Sequence, residues 1–271
     1  MYLIDGRYGM AKKNKNRISF DEYYTDLFEE RWPLLRESLG HEPSYYELKT
    51  SGPDQREVSY FLDEASFRTA LLVQPDKEDS VLDMCAAPGG KSLSILSSFP
   101  DIRLTANEWS GKRRDRLKKV FEQHLAEDER KRVKVTGFDA RTWFRHEKNM
   151  YDRILLDVPC SSEKHVINSP RYYSQWTPSR TSRLAIQAFA MLASALEVVK
   201  PGGRILYSTC ALSPLENDGV LEKLHKKRAE RFEIIPVRLP FGEKTRYGWQ
   251  VFPDTSEGRG PMYAACVHRI S

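Results

Sequence analysis

The stretch Val81-Leu-Asp-Met-Cys-Ala-Ala-Pro-Gly-Gly-Lys-Ser92 limits what this chain can fold into more than any other. An apolar run ends in Asp83, a Pro-Gly-Gly turn follows, and a helix-prone segment begins at Lys91. Strand, tight turn and helix in that order form the first half of a βαβ unit. Glycine at 89 and 90 predicts that backbone approaches a bound ligand there, because no Cβ intervenes. The unpaired N–H groups of the helix start would face that ligand. Two other readings compete. Gly90-Lys91-Ser92 has the ending of a G-x-x-x-x-G-K-[ST] phosphate loop, but the first glycine of that pattern falls on Cys85, and Pro88 removes a donor. A purely structural glycine turn is the blander possibility, and the rest of the chain must decide against it.

From residue 78 onward apolar runs alternate with helical patterns. Strands are expected at about 80–84, 103–107, 133–136, 153–157 and 204–208, with late strands near 232–238 and 262–269. Helices are expected over 91–98, 110–125, from Thr177-Pro178 onward, and over 215–229. This order implies an α/β fold: a mostly parallel, doubly wound, Rossmann-like sheet with helices on both faces and an antiparallel hairpin at one edge. Residues 1–17, with Lys12, Lys13, Lys15 and Arg17, read as a basic flexible arm. Residues 18–70 read as a small helical N-terminal extension, opened by a Ser19-x-x-Glu22 capping box with an Ile18–Tyr23 staple, divided near Pro33 and closed by Gly40. Residues 41–57 read as a connection, and 71–271 as the main domain.

Four strands end in residues able to hold a ligand, where open α/β sheets bind theirs. Asp83 to Lys91 follow the first, Glu108 ends the second, Asp139 follows the third, and Asp157-Val-Pro-Cys160 follows the fourth. Glu108 lies about 20 residues past the glycine turn, where an acid accepts ribose hydroxyls. Asp139 is placed to hold an adenine amino group. Ser208-Thr-Cys210 follows the fifth strand. If the fourth and fifth strands are neighbours, they lie roughly 4.8 Å apart, and Cys160 and Cys210 face one cleft. A lone cysteine in a parallel sheet is more often a small buried hydrophobe, but two at adjacent strand ends beside Asp157 favour nucleophilic chemistry. The four cysteines, at 85, 160, 210 and 266, include no C-x-x-C pair, which argues against zinc and against a disulfide framework. Free thiols fit a reducing cytoplasm. No segment approaches a membrane span.

CAAPGGK at 85–91, DVPC at 157–160 and STC at 208–210 resemble the three signatures of the Sun-type RNA cytosine-5 methyltransferases, over about residues 20–271. Trp32-Pro33, the run Ala106 to Ser110, Ser162 to His165 and Gly260 to Tyr263 resemble the branch that includes the mitochondrial small-subunit rRNA enzyme. The resemblance implies a class I S-adenosylmethionine-dependent fold. It implies that Cys85, Ala86, Ala87, Pro88, Gly89, Gly90 and Lys91 cradle the methionine part of S-adenosyl-L-methionine, that Glu108 holds the ribose, and that Arg113 and Asp139 contact the adenosine end. Asp157 would face both cofactor and cytosine, Cys210 would be the nucleophile, and Cys160 would assist product release. A lowered thiolate pKa would come from basic groups such as Lys91. Glu108 stands where the family often has Asp, and Ala211 where it often has Ser. No metal is expected.

The expected substrate is small-subunit rRNA, with tRNA second, in the cytoplasm or alternatively the mitochondrion. The target base must leave its stack to react. Basic runs at Lys112, Arg113, Arg114, Arg116, Lys118 and Lys119, at Arg130, Lys131, Arg132 and Lys134, and at Lys226, Lys227 and Arg228 are candidate phosphate contacts, although each also reads as a solvated face. Residues 161–180, with His165, Arg171, Tyr172, Tyr173, Trp176 and Arg180, offer rings for unpaired bases, or alternatively a packed cap. A protein partner or a preassembled ribosomal particle would complete recognition. The non-catalytic alternative is an RNA-binding assembly factor with the same fold. A DNA cytosine methyltransferase would use the Pro-Cys cysteine instead.

Overall fold

A computed structural model describes residues 18–271; the basic arm over 1–17 lies outside the described residues. The chain opens with α1 (Phe20–Phe28), which starts on the expected capping box, Ser19 and Glu22 each satisfying the other's backbone. A 3₁₀ turn at Glu29–Arg31 leads into α2 (Trp32–Leu39), with Pro33 in its first turn, where a missing N–H costs nothing. The segment read as a connection is instead structured: β1 (Tyr45–Ser51) pairs antiparallel with β2 (Glu57–Asp63) as a separate hairpin. Tyr46, Leu48 and Thr50 turn inward while Tyr45, Glu47 and Lys49 face out, the two-residue alternation of a half-buried strand. Asp63 then caps α3 (Glu64–Leu71) through Ala65 N.

The main domain alternates β3 (Ser80–Asp83), α4 (Gly90–Ser98), β4 (Arg103–Asn107), α5 (Gly111–His124), the short α6 (Glu127–Arg130), β5 (Val133–Thr136) and β6 (Tyr151–Asp157). Two short helices, α7 (Glu163–Ile167) and α8 (Pro170–Ser174), precede the long α9 (Pro178–Val198), then β7 (Val199–Thr209) and α10 (Asp218–Arg228). The chain closes with β8 (Phe232–Ile235), β9 (Glu243–Lys244), β10 (Trp249–Val251) and β11 (Met262–Arg269). The sheet order is β5-β4-β3-β6-β7-β11-β10-β9, with β8 also on β11. Strands β5 to β7 are parallel, and β11 runs antiparallel beside β7. The antiparallel edge is thus larger than the expected hairpin, because β9 and β10 extend it.

Burial of both faces explains the apolar strands. Ile154, Leu156, Ile205, Tyr207, Ala265 and Val267 point to one side, against α9 and α10. Leu155, Leu206 and Ala264 point to the other, with residues of α3, α4 and α5. A third core joins the N-terminal helices to the segments after β6 and β7: Phe20, Tyr23, Tyr24 and Trp32 pack with Val166, Trp176 and Leu212. The chain runs β3, β4, β5 outward and then returns to β6 on the other side of β3. The switch point therefore lies between Asp83 and Asp157, where open α/β sheets leave a crevice.

Candidate active site

The carboxyl ends of β3, β6 and β7 bring the expected chemistry together. Cys160 Sγ lies 2.8 Å from Cys210 Sγ. Neighbouring parallel strands put them there, since Asp157 is in register with Ser208. Lys91, in the first turn of α4, donates from Nζ to Asp157 Oδ2 at 2.8 Å, and Ser208 Oγ donates to Asp157 Oδ1 at 2.8 Å. Both oxygens of Asp157 are thus oriented before any substrate arrives.

The two thiols differ electrostatically. The hydrogen bond between the two thiols, in which either sulfur can be the donor, is the chief cause that holds Cys210 below the usual thiol range; burial and the Asp157 charge oppose it, and Lys91 lowers Cys210 further. Lys91 acts on Cys210 in the expected direction, and the neighbouring thiol adds to it; the Lys91 ammonium is also paired with Asp157. Cys160 is pushed well up by the same hydrogen bond and by burial. Burial pulls Lys91 down, but the Asp157 carboxylate against it more than offsets this and the net shift is upward. Cys85 is pushed well up by burial and by the charges of Asp83, Glu108 and Asp157, which leaves it a neutral thiol in the turn.

The turn itself is braced from below. Burial pushes Asp83 up to about 7 even though Ser92 Oγ donates to it at 2.6 Å. Asn107 donates to Met84 O at 3.0 Å and to Phe138 O at 2.9 Å, tying the ends of three strands. Arg113 donates to Ala87 O at 2.7 Å. Gly89 has φ +121°, a conformation that favours glycine. Gly90 is also constrained by packing: a Cβ there would meet the Tyr60 ring at 2.9 Å. The hairpin therefore also demands a small residue at 90, which lines the cavity beside Lys91.

Two cavities meet at Cys85. One, of about 110 Å³, is lined by Asp83, Cys85, Ala86, Ala87, Pro88, Gly90, Lys91 and Asp157, with Tyr60 across it. The other, of about 250 Å³, has Glu108, Arg113 and Asp139 among polar walls and Trp109, Phe138 and Met191 as apolar surface. Glu108 is buried, accepts from Ser110 N at 2.9 Å and pairs with Arg113 at 3.0 Å. Asp139 lines the cavity but its oxygens are occupied: Arg141 binds both, with Nη2 at 2.6 Å from Oδ2, and holds its pKa low. Arg141 also lies over the exposed ring of Trp109, 5.2 Å from its centroid.

The other expected contacts divide. In the segment 161–180, Trp176 and Tyr173 serve as a cap: Trp176 is buried against Phe20 and Tyr23, and Tyr173 donates to Asp21 at 2.5 Å. His165, Arg171 and Tyr172 stay exposed. In the first basic run Arg113 and Arg114 serve the site's own backbone, Arg114 donating to Glu108 O at 2.8 Å, whereas Lys112, Arg116, Lys118 and Lys119 face solvent. Arg132 is spent on the carbonyl of Pro100, and Lys226 on Glu222.

Motif reading assigns no role to Glu163 and Glu216, both buried behind the cysteine loops. Ser161 N donates to Glu216 at 2.8 Å, and Leu212 N donates to Glu163 at 2.8 Å. Their only sequence signal is an acid close after each cysteine motif. Among the described residues no cluster of His, Cys, Asp or Glu has the makings of a metal site, and no helix is long and apolar enough to cross a membrane.

The sequence profile of the family described as 16S rRNA methyltransferase RsmB/F matches residues 70–268. The mouse 5-cytosine rRNA methyltransferase NSUN4 is 33% identical over 228 residues, covering 78% of this chain and 60% of the relative. A zebrafish protein named tRNA (cytosine(34)-C(5))-methyltransferase, mitochondrial, is 32% identical over 223 residues, covering 78% and 60%. The chain thus spans about 60% of the length of these relatives. Among solved structures, a methyltransferase homolog from Pyrococcus horikoshii has a TM-score of 0.67 at 19% identity, over 90% of this chain and 92% of that one. NSun6 from the same organism, solved with SFG, has a TM-score of 0.62 at 24% identity, over 78% and 54%. At such identities these two structures support the fold alone.

Proposed function

The chain belongs to the RsmB/F family of 16S rRNA methyltransferases, and from that premise we propose that it transfers a methyl group from S-adenosyl-L-methionine to carbon 5 of cytosine in RNA, with small-subunit rRNA as substrate. The observation that carries this reading is the contact of Cys160 and Cys210 at 2.8 Å beside the Lys91–Asp157 pair. The cofactor fits the residues present. The larger cavity offers Glu108 for ribose hydroxyls and apolar walls for a base, and the smaller has acids, a lysine and the 85–88 backbone for an amino-acid end. Asp139 can serve the adenine amino group once Arg141 yields one of its oxygens. When bound, the cofactor supplies an electrophilic methyl group on a sulfonium centre.

Carbon 5 of cytosine is a weak nucleophile. Addition of the Cys210 thiolate at carbon 6 pushes electron density onto it. Asp157, oriented by Lys91 at its Oδ2 and by Ser208 at its Oδ1, faces the cytosine ring and stabilises the charge that develops there. After methylation, loss of the carbon-5 proton and expulsion of Cys210 restore the ring, and Cys160, in contact with Cys210 Sγ, assists that release. The assignment of the nucleophile to Cys210 rests on the resemblance of Ser208-Thr-Cys210 to the family signature, and the contact with Cys160 places the second thiol where it can assist.

The exposed lysines of α5 and the trio His165, Arg171 and Tyr172 are the proposed contacts to the RNA backbone and to unpaired bases. A protein partner or ribosomal particle supplies further recognition. The zebrafish and mouse relatives named mitochondrial favour that compartment over the cytoplasm, and they also support tRNA as a second substrate reading. The test is methyl transfer to unmethylated small-subunit rRNA and to tRNA. The reading expects transfer to rRNA, its loss in Cys210→Ala, and a trapped protein–RNA adduct in Cys160→Ala. The reverse pattern would exchange the cysteines. Cofactor binding without transfer to either RNA would point to a binding role in assembly.

A further inference from the structure

Glu216 has no part in the chemistry above, yet its burial needs a reason. Its side chain is 1% exposed, seven residues past Thr209 in the loop that carries Cys210. Oε2 accepts from Ser161 N at 2.8 Å, in the loop that carries Cys160. Tyr207 Oη donates to its backbone carbonyl at 2.5 Å, so main chain and side chain are both anchored. Oε1 is buried without a hydrogen-bond partner. An ionised carboxylate with an orphaned buried oxygen is costly, whereas a protonated one can place its proton there.

Its neighbours point the same way. Glu163, at the start of α7, already accepts from Tyr24 Oη, from Ser161 Oγ at 2.5 Å and from Leu212 N at 2.8 Å, so its oxygens are satisfied where those of Glu216 are not. Glu216 faces this acid from the loop after β7, Cys160 and Cys210 from the strand ends, Tyr23 and Tyr24 from α1, and Tyr207 from β7. Two carboxylates sharing such a site do not both ionise readily. Burial and the Glu163 charge push Glu216 up to about 8.

We propose that Glu216 is a positioning residue: as a neutral acid it clamps the Cys160 loop to the Cys210 loop and keeps a second negative charge away from the thiolate. The proposal rests on the reading of Cys160 and Cys210 as the working thiols. Ser161 N to Glu216 and Leu212 N to Glu163 cross the gap in opposite directions, so the two loops are latched by reciprocal bonds. Ionised Glu216 would repel Glu163 and the Cys210 thiolate together, loosening the latch and disfavouring the nucleophile.

The test is the rate at which diamide closes a Cys160–Cys210 disulfide, located by mass spectrometry, in wild type, Glu216→Gln and Glu216→Ala. The reagent takes up two electrons and two protons as the bond forms, and neither RNA nor cofactor is present. The result is therefore independent of whether methyl transfer is observed. Glutamine keeps an acceptor for Ser161 N and cannot ionise. Expected is closure slowed at least about tenfold in Glu216→Ala and restored in Glu216→Gln. Wild type should match Glu216→Gln at about pH 6.5 and fall progressively behind it above about pH 8. Equal rates in wild type and Glu216→Ala would overturn the clamp. Parallel profiles of wild type and Glu216→Gln up to about pH 9.5 would overturn the neutral acid, and that comparison stands even if the alanine variant does not fold.

Discussion

Lys91 Nζ sits 2.8 Å from Asp157 Oδ2, a contact that joins the helix after β3 to the end of β6 across the switch point of the sheet. The side chains are 12% and 29% exposed. Solvent therefore screens the pair only partly, and the ammonium leaves Asp157 fixed in direction. Asp157 in turn depresses the acidity of Cys210, while Cys160 enhances it. The cleft balances these opposing influences around one sulfur.

That balance predicts how the thiols respond to mutation. Cys160→Ala removes the hydrogen-bond partner of Cys210, so the pH midpoint for alkylation of Cys210 by iodoacetamide should rise. Cys160→Ser retains a donor and should move it less. An unchanged midpoint in Cys160→Ala would mean that the sulfur contact does not activate Cys210.

Gly90 separates packing from ligand binding. Gly90→Ala should destabilise the fold by roughly 1–3 kcal/mol through overpacking against Tyr60. Tyr60→Ala in the same chain should recover much of the loss, giving a strongly non-additive cycle in urea denaturation. Additive effects, with cofactor titration weakened instead, would leave the ligand as the reason for glycine.

Stability should depend on pH through two buried acids. Asp83 is raised from 3.8 to about 7 and Glu216 from 4.5 to about 8, so each binds its proton more tightly folded than unfolded. Between about pH 4.5 and pH 8 the folded chain therefore holds more protons, and unfolding free energy falls as pH rises. Carboxylates held low by partners, such as Asp139 beside Arg141, have the opposite sign and act only below about pH 4. Urea midpoints at about pH 5 and about pH 8 should show the decline, and Asp83→Asn should flatten it. A midpoint that climbs over that window would contradict the assignment of both groups.

Periodicity made the central sheet legible, because both faces of each strand are covered and the apolar runs have no other use. The pairing of Cys160 with Cys210 was legible for a related reason: motifs at the ends of consecutive parallel strands converge if those strands are neighbours. The β1–β2 hairpin was less so, since the charges of Glu47 and Lys49 obscure the alternation of Tyr46, Leu48 and Thr50. Strands β9 and β10 have two and three residues, too few to show any period. Asp139 and Arg141 form a local pair that motif reading treats as one free acid. Glu163 and Glu216 stayed hidden because their partners arrive from distant parts of the chain, Tyr24 from 139 residues away.

The aromatic seam between the N-terminal helices and Trp176 bears on how the molecule can be divided. The family match begins at residue 70, yet Tyr24 donates to Glu163 inside the buried network behind the cysteines. Phe20 and Tyr23 lie against Trp176 with ring centroids 5.2 Å away in each case. A fragment trimmed to the matched region would keep every signature motif and still lose the aromatic cover of Trp176 and the Tyr24 donor to Glu163. The boundary drawn by sequence kinship and the boundary of the packed core are different lines in this protein.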